Sequence, residues 1–185
     1  MKNIFIIGAQ RSGTTFLKEA ISINPDIITV DTSKNEPKTF LSDLFPMNSE
    51  EYLETYKIAI QPYQYVLEKS TSYYENLYTA QRIKECLPNS KILFVAREPI
   101  QRLISNYEFS KDNGLEDLSF HDAIRNKDRP YKTSVNPYDY ISRSMYSSYI
   151  PYWKELFGEN LKIILFEEMI DNISNILGDI FKWLK

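Results

Sequence analysis

Short runs of consecutive apolar residues, separated by longer amphipathic stretches, dominate the hydrophobic pattern of this chain. The clearest runs are Ile4–Ile7, Ile92–Ala96 and Leu161–Phe166. Uninterrupted apolar runs of this length are typical of strands buried on both faces, as in a parallel sheet that helices cover on each side. Tyr65–Leu67 and Ile27–Val30 are weaker candidates for further strands.

Helical patterns fill the intervals between these runs. We predict helices over Gly13–Ile23, Glu50–Ile60 with Ser49 as N-cap, Asn76–Leu87, Pro99–Asn113, a short segment opened by Ser119, Tyr138–Phe157 with a kink or break at Pro151, and Glu167–Leu184. The alternation of strands and helices predicts a three-layer α/β/α fold around a central parallel sheet. The length of 185 residues fits one domain, and we expect residues 1–185 to form it.

Composition and charge exclude several classes of protein. Cys86 and His121 are the only residues of their types, which excludes a disulfide framework, a cysteine zinc site and a multi-histidine metal site. The net charge of −3 is not that of a general nucleic-acid binder. The apolar runs are too short for a signal peptide or a membrane span, so we expect a cytoplasmic protein without a span.

The loop Gly8-Ala-Gln-Arg-Ser-Gly-Thr-Thr15 follows the first predicted strand and opens the first predicted helix. Backbone N–H groups in such a loop cradle a phosphate. Nucleoside-triphosphate loops carry a lysine where Thr14 stands here, and Arg11 supplies a cation instead. NTP hydrolysis also needs Mg²⁺, which is usually held in part by an aspartate at the end of a nearby buried strand. Here the strand at residues 91–96 is followed by Arg97 instead, although Glu167 remains a possible metal ligand. The loop and its arginines indicate an anion site without an obvious metal-binding site. The alternative is a glycine-bounded turn that binds no ligand.

A second anion element ends the strand at residues 91–96. Arg97 follows this strand, and Ser105 lies eight residues further on, about two turns into the helix that Pro99 begins. Arg97 can pair with a phosphate through two hydrogen bonds, and Ser105 can add a donor. The alternatives are a salt bridge at a strand end and a solvent-facing serine. Arg102 is either a secondary anion contact or a solvated charge.

Together, these segments resemble the sulfotransferases that use 3′-phosphoadenosine 5′-phosphosulfate (PAPS). Gln10–Phe16 resembles the 5′-phosphosulfate loop of that family, and Val95–Tyr107 resembles its 3′-phosphate element. Asn35–Phe40 resembles the K-E-P-H-F-F motif of the heparan-sulfate type, whose glutamate is the catalytic base. Glu68–Tyr74 resembles the motif E-K-[ST]-P-x-Y-F, and Tyr146–Glu168 is similar to the family's later region.

The resemblance implies a P-loop-like fold, PAPS as co-substrate, no metal, and a small-molecule or glycan acceptor. The co-substrate-binding residues that it implies are Arg11, Ser12, Gly13, Thr14, Thr15 and Phe16 for the 5′-phosphosulfate, and Arg97 and Ser105 for the 3′-phosphate. The catalytic residues that it implies are Glu36 as base, with Lys69 and Arg11 as cations near the transferred sulfuryl group. Thr71 and Ser72 are interpreted as turn residues. Tyr73, Tyr74, Tyr138 and Tyr140 are candidates to line an acceptor site for a sugar, a lipid or a phenol.

The chain also departs from the family pattern. Arg11 stands where many members have lysine, and Lys38 stands where the glutamate motif often has histidine. Members usually continue into a basic loop that closes over the co-substrate, whereas this sequence stops at Lys185. We expect either a chain truncated at the C-terminus or a shortened member of the family. Two other functions therefore stay open: a P-loop kinase or NTPase, which the absent lysine argues against, and a catalytically weak nucleotide-binding module.

The choice of base rests on elimination as well as on the motif. His121 is far in sequence from every anion motif, and we interpret it as a surface or structural residue. A carboxylate must then accept the acceptor's proton, and Glu36 has the matching context. The alternative is that Glu36 is a loop carboxylate paired with Lys34 or Lys38.

Overall fold

The computed structural model describes residues 2–30, 36–58, 65–133 and 135–185. Within these ranges, five strands form one parallel sheet in the order β2-β3-β1-β4-β5. The strands are β1 Lys2–Gly8, β2 Ile27–Thr29, β3 Tyr65–Lys69, β4 Lys91–Ala96 and β5 Leu161–Leu165. The helices are α1 Thr14–Ser22, α2 Ser49–Tyr56, α3 Leu77–Cys86, α4 Pro99–Asp112, α5 Phe120–Ala123, α6 Ile150–Phe157, α7 Phe166–Asp171 and α8 Ile173–Leu184.

The sheet is buried on both faces, as the continuous apolar runs predict. In β1, every residue after Lys2 is buried, and alternate side chains enter two different apolar clusters. Phe5 and Ile7 pack in the cluster that includes residues of α3 and α6, whereas Ile4 and Ile6 pack in the cluster that includes residues of α1 and α8. Full burial of a large apolar side chain contributes about 1.5–3 kcal/mol, so these two clusters hold the three layers together. The predicted α/β/α fold is confirmed.

The strand order determines where the functional residues meet. β1 lies between β3 and β4, with Ile6 opposite Lys69 of β3 and opposite Leu93 of β4. Because the three strands are parallel, the segments that follow them emerge side by side at the carboxyl edge of the sheet. Ligands of open α/β sheets bind at this edge.

Two predicted helix boundaries differ from the structure because of capping side chains. Asn48, not Ser49, is the N-cap of α2, since its side chain accepts hydrogen bonds from the backbone N–H groups of Glu50 and Glu51. The predicted end of this helix at Ile60 lies outside the described residues. The helix predicted over 167–184 is interrupted at Asn172, whose side chain accepts from the N–H of Asn175 and caps α8.

Of the helix predicted over 138–157 with a kink or break at Pro151, only Ile150–Phe157 is α-helical. The α-helix begins only at Ile150, after two short 3₁₀ turns at Ser142–Ser144 and Tyr146–Ser148. Pro151 lies in the first turn of α6, where its missing N–H has no intrahelical partner to lose, so it starts the helix instead of kinking it. Phe166 likewise begins α7 and does not belong to β5.

Candidate functional site

The loop between β1 and α1 has a conformation that its two glycines make possible. Gly13 has φ of 71°, and a Cβ there would lie 2.9 Å from Met169 Cε. At Gly8, with φ of 159°, a Cβ would lie only 2.3 Å from Tyr74 Cδ1. Gly13 is also the N-cap of α1, and it offers no side-chain acceptor to the N–H groups of the first turn. These N–H groups and the positive end of the helix dipole therefore face the loop ready for an anion.

The two predicted anion elements meet at one cavity of about 330 Å³. We call this space the anion cavity; its lining residues are Arg11, Gly13, Thr14, Thr15, Arg97 and Phe166. Arg11 Nε donates to Ser105 Oγ at 3.4 Å, and Arg97 Nη1 donates to the carbonyl oxygen of Arg11 at 2.9 Å. The structure thus brings together Arg11, Arg97 and Ser105, although Arg11 and Ser105 are 94 residues apart in the sequence.

The anion cavity holds two positive charges that lack a neutralising partner. Within the described ranges, neither Arg11 nor Arg97 pairs with a carboxylate, and each guanidinium instead lies over an aromatic ring, that of Phe109 or Phe166. Partial burial lowers the pKa of Arg11, and the charge of Arg97 lowers it further. Both effects penalise the positive charge, and a bound anion would remove that penalty.

A carboxylate and a lysine lie beside the anion cavity. Lys69, the last residue of β3, donates from Nζ to Glu36 Oε1 at 3.1 Å and to Thr15 Oγ1 at 3.4 Å. The side chains of Lys69 and Glu36 are only 10% and 15% exposed. Lys69 therefore bridges the first turn of α1 and the segment that carries Glu36.

A second carboxylate, Glu68, is fully buried and organises the segment around Glu36. It accepts hydrogen bonds from Tyr52 Oη at 2.7 Å and from Ser70 Oγ at 3.0 Å, and Tyr73 Oη donates to it as well. Burial raises the pKa of Glu68, and these hydrogen bonds offset only part of that effect. Among the described residues, the carboxyl group of Glu68 is thus surrounded by hydroxyl donors and has no cation as partner.

The hydroxyl groups that satisfy Glu68 also anchor residues 36–40, which we call the base loop. Ser70 Oγ accepts from the backbone N–H of Lys38 at 2.9 Å, and Tyr73 Oη accepts from that of Phe40 at 3.0 Å. Thr39 Oγ1 donates to Glu68 directly at 3.4 Å. Three consecutive residues of the base loop are therefore tied to one buried carboxylate.

Several expected residues lie elsewhere. Ser12 is fully buried and Phe16 is 44% exposed, and neither lines the anion cavity. Tyr73 and Tyr74 are also fully buried, so they cannot line an acceptor site. Their rings pack in the core while the Tyr74 hydroxyl donates to the carbonyl oxygen of Arg143. His121 is on the surface, as expected.

Arg102 is neither an anion contact nor a solvated charge, so both interpretations were wrong. It is fully buried, and its guanidinium donates to Ser144 Oγ, Asn106 Oδ1 and the carbonyl oxygen of Tyr140 at 2.7–3.0 Å. These bonds tie α4 to the turn that precedes α6. Glu167 also has a structural contact, since its Oε1 accepts from the backbone N–H of Glu98 at 3.0 Å.

The alternative pairing of Glu36 with Lys34 or Lys38 can be compared with the structure only for Lys38. Lys34 lies outside the described residues. Lys38 anchors its backbone N–H on Ser70, while the ion pair of Glu36 within the described residues is with Lys69.

Sequence reasoning missed two residues that shape the site. Phe166 lines the anion cavity, and its position directly after β5, at the carboxyl edge, was the signal that could have found it. Arg143 is buried under the loop after β1, where it pairs with Glu75 at 2.9 Å and donates to Gln10 Oε1 at 2.8 Å. No local pattern marks Arg143, because its partners lie 68 and 133 residues away.

Neither a metal-binding cluster nor a membrane-spanning helix is present in the described part of the chain. Across residues 2–30, 36–58, 65–133 and 135–185, no group of three or more His, Cys, Asp or Glu side chains is arranged to hold a metal ion. In the same ranges, no helix has the length and apolar character that crossing a membrane requires.

Comparison with known proteins decides the family. The profile of the sulfotransferase domain family matches residues 1–185. This chain belongs to the sulfotransferase domain family. It is 22% identical over 187 residues to human heparan sulfate glucosamine 3-O-sulfotransferase 3B1, a match that covers 97% of this chain and 45% of that protein. It is 30% identical over 112 residues to the membrane-associated sulfotransferase kil1 of Dictyostelium discoideum, which covers 60% of this chain and 23% of that protein.

Solved sulfotransferase structures share the fold. A sulfotransferase from Alicyclobacillus acidocaldarius superposes with a TM-score of 0.85 and 26% identity, covering 100% of this chain and 81% of that one. Mouse sulfotransferase SULT7A1, solved in complex with 3′-phosphoadenosine 5′-phosphate (PAP), superposes with a TM-score of 0.62 and 19% identity, covering 99% and 58%. This chain spans less than half the length of the two curated relatives above.

Proposed function

We propose that this sulfotransferase domain moves a sulfuryl group from PAPS to a carbohydrate hydroxyl or amine. The observation that carries the proposal is that a positively charged cavity and a carboxylate lie side by side at the carboxyl edge of the sheet. The anion cavity offers two arginines that have no carboxylate partner in the described ranges, and Lys69 joins the cavity to the carboxylate of Glu36. An anionic donor and a group that accepts a proton are the two requirements of sulfuryl transfer to a hydroxyl.

The chain's residues fit the phosphate groups of PAPS. In this proposal, the first-turn N–H groups of α1, together with Arg11 and Thr15, hold the 5′-phosphosulfate. Arg97 and Ser105 hold the 3′-phosphate; the support for this is that both contact Arg11, which lines the cavity. The volume of about 330 Å³ is within the range of small-molecule sites.

Lys69 and Glu36 carry the chemistry in this proposal. When bound, PAPS supplies an activated sulfuryl group and leaves as PAP. Glu36 takes the proton of the acceptor, a role in which a positioned general base contributes about 10²–10⁴-fold. Lys69 Nζ, held between Glu36 and Thr15, offsets negative charge that grows toward the phosphate side as the donor bond breaks.

A glycan is the proposed acceptor because two observations support it. The base loop and the segment after β3 match motifs of the heparan-sulfate type, and a relative matched over 97% of this chain is described as acting on heparan sulfate glucosamine. The fully buried Tyr73 and Tyr74 give no support to a phenolic or lipid acceptor site built from these two rings.

The test is a transfer assay with radiolabelled PAPS. We expect label to move to desulfated heparan sulfate, with less transfer to 4-nitrophenol, and equal rates with Mg²⁺ or EDTA. The variant Glu36→Gln should lose most of this transfer. Glu50→Gln is its matched control, because Glu50 is an exposed carboxylate in α2. Hydrolysis of ATP that requires Mg²⁺, with no transfer from PAPS, would contradict the proposal in favour of an NTPase.

A further inference from the structure

Thr71 distinguishes this chain from the motif that its segment resembles. In E-K-[ST]-P-x-Y-F, the position of Thr71 is proline, which has neither a backbone N–H nor a hydroxyl group. Thr71 has both, and it is only 3% exposed. Its polar groups therefore point into the protein and need partners there.

Both donors of Thr71 are directed at Glu36. The hydroxyl donates to Oε1 at 2.6 Å, and the backbone N–H donates to Oε2 at 3.2 Å. A residue that contacts both oxygens of one carboxylate fixes the plane of that carboxylate as well as its position. A proline at this place would supply neither bond.

The two carboxylate oxygens of Glu36 accept different numbers of hydrogen bonds. Oε1 accepts from the Thr71 hydroxyl and from Lys69 Nζ, which uses about two lone-pair sites. Oε2 accepts only the longer bond from the Thr71 N–H among the described residues. Oε2 is therefore the oxygen with capacity to accept another hydrogen bond.

We propose that Thr71 is a positioning residue that fixes Glu36 with Oε2 directed to the acceptor. This inference rests on the proposed function. In the step it supports, the acceptor O–H bond breaks and its proton goes to Oε2. The acceptor oxygen forms a bond to sulfur, and the bond from sulfur to the 5′-phosphate oxygen breaks, leaving its electron pair on PAP. Thr71 takes no part in the proton transfer itself.

The experiment compares three variants of the whole chain in the PAPS transfer assay with desulfated heparan sulfate. Thr71→Val removes the hydroxyl at nearly constant volume, and Thr71→Ser restores it. Thr79→Val is the matched control, because Thr79 is a fully buried threonine whose hydroxyl has no hydrogen-bond partner in the described structure. PAP affinity by calorimetry and Tm are measured for all of them, so that loss of binding or folding is seen separately.

We expect Thr71→Val to lower kcat about 10- to 100-fold, the range for one hydrogen bond to a charged group. PAP affinity and the KM for PAPS should stay at the parent values, Thr71→Ser should recover most of kcat, and Thr79→Val should match the parent. A Thr71→Val variant as fast as the parent would overturn the inference, as would a Thr71→Ser variant as slow as Thr71→Val. A parent that binds PAP but transfers nothing would overturn the proposed function, and this inference with it.

Discussion

The anion cavity and the base loop hold their charges in opposite ways. Arg11 and Arg97 lie beside each other with no carboxylate partner in the described structure; partial burial lowers the pKa of Arg11, and the charge of Arg97 lowers it further. Glu36, by contrast, accepts three hydrogen bonds, two of them from Thr71. Among the residues that the structure describes, the anion cavity therefore lacks a counter-charge, whereas Glu36 already has its partners.

Under the proposed function, this difference assigns binding to the anion cavity and catalysis to the base loop. A ligand that supplies the missing negative charge gains most in the anion cavity, so substitutions there should act on affinity. The base loop is held in place through Glu68 before any ligand binds, and preorganised groups act mainly on the rate of the chemical step. Substitutions in the two regions should thus be distinguishable by measuring PAP binding and turnover separately.

The largest effect is expected for Glu36→Gln. Loss of a general base should lower kcat about 10²–10⁴-fold. PAP affinity should not change, since Glu36 lies on the base-loop side of Lys69. The measurement is label transfer from PAPS alongside a calorimetric titration with PAP. A Gln variant that turns over like the parent would show that Glu36 is not the base.

Lys69→Ala should have the next largest effect, because Lys69 contacts both regions. Removing a cation that stabilises developing charge should lower kcat about 10²–10³-fold, with a smaller loss of PAP affinity. Lys182→Ala, at an exposed position of α8, is the matched control. Equal losses in kcat and in PAP affinity would make Lys69 a binding residue only.

Arg97→Ala should show the affinity effect alone. A hydrogen bond to a charged group contributes about 1.5–3 kcal/mol, so PAP should bind roughly 10-fold more weakly, while adenosine 5′-monophosphate should bind nearly as before. Arg125→Ala, which changes an exposed arginine, serves as control. A variant that loses affinity for both nucleotides equally would remove the assignment of Arg97 to the 3′-phosphate.

The smallest effect concerns Glu68 and the pH dependence of stability. Burial raises the pKa of Glu68, so the folded state binds its proton more tightly than the unfolded state does. The resulting stabilisation is complete below the unfolded pKa and is lost as the pH rises through the folded pKa. The Tm of the parent relative to Glu68→Gln should therefore be higher at pH 4 than at pH 7, by about 2–4 °C. A constant Tm difference between pH 4 and pH 7 would contradict this.

The sheet and the anion cavity could be predicted because their signals are local. Continuous apolar runs indicate strands buried on both faces, and the spacing from Gly8 to Gly13 marks the loop. The spacing from Arg97 to Ser105 needs only one strand end and one helix. Parallel pairing of β1 with β3 and β4 then brings these local elements together without further information.

The support of the site could not be predicted, because it depends on contacts between distant segments. Arg102 has the polar character of a surface helix residue, yet Ser144 and Tyr140 lie 42 and 38 residues away and satisfy it in the core. Thr71 was interpreted as a turn residue, which it is, but its contacts with Glu36 join residues 35 positions apart. Periodicity and propensity carry no information on such pairs.

The proposed function requires the anion cavity to bind a nucleotide that carries both a 5′- and a 3′-phosphate. The decisive experiment is calorimetric titration of the parent protein with PAP and with adenosine 5′-monophosphate, both in EDTA. We expect PAP to bind at least about 10-fold more tightly, since only PAP has the 3′-phosphate assigned to Arg97 and Ser105. Equal affinities for the two nucleotides would contradict this expectation.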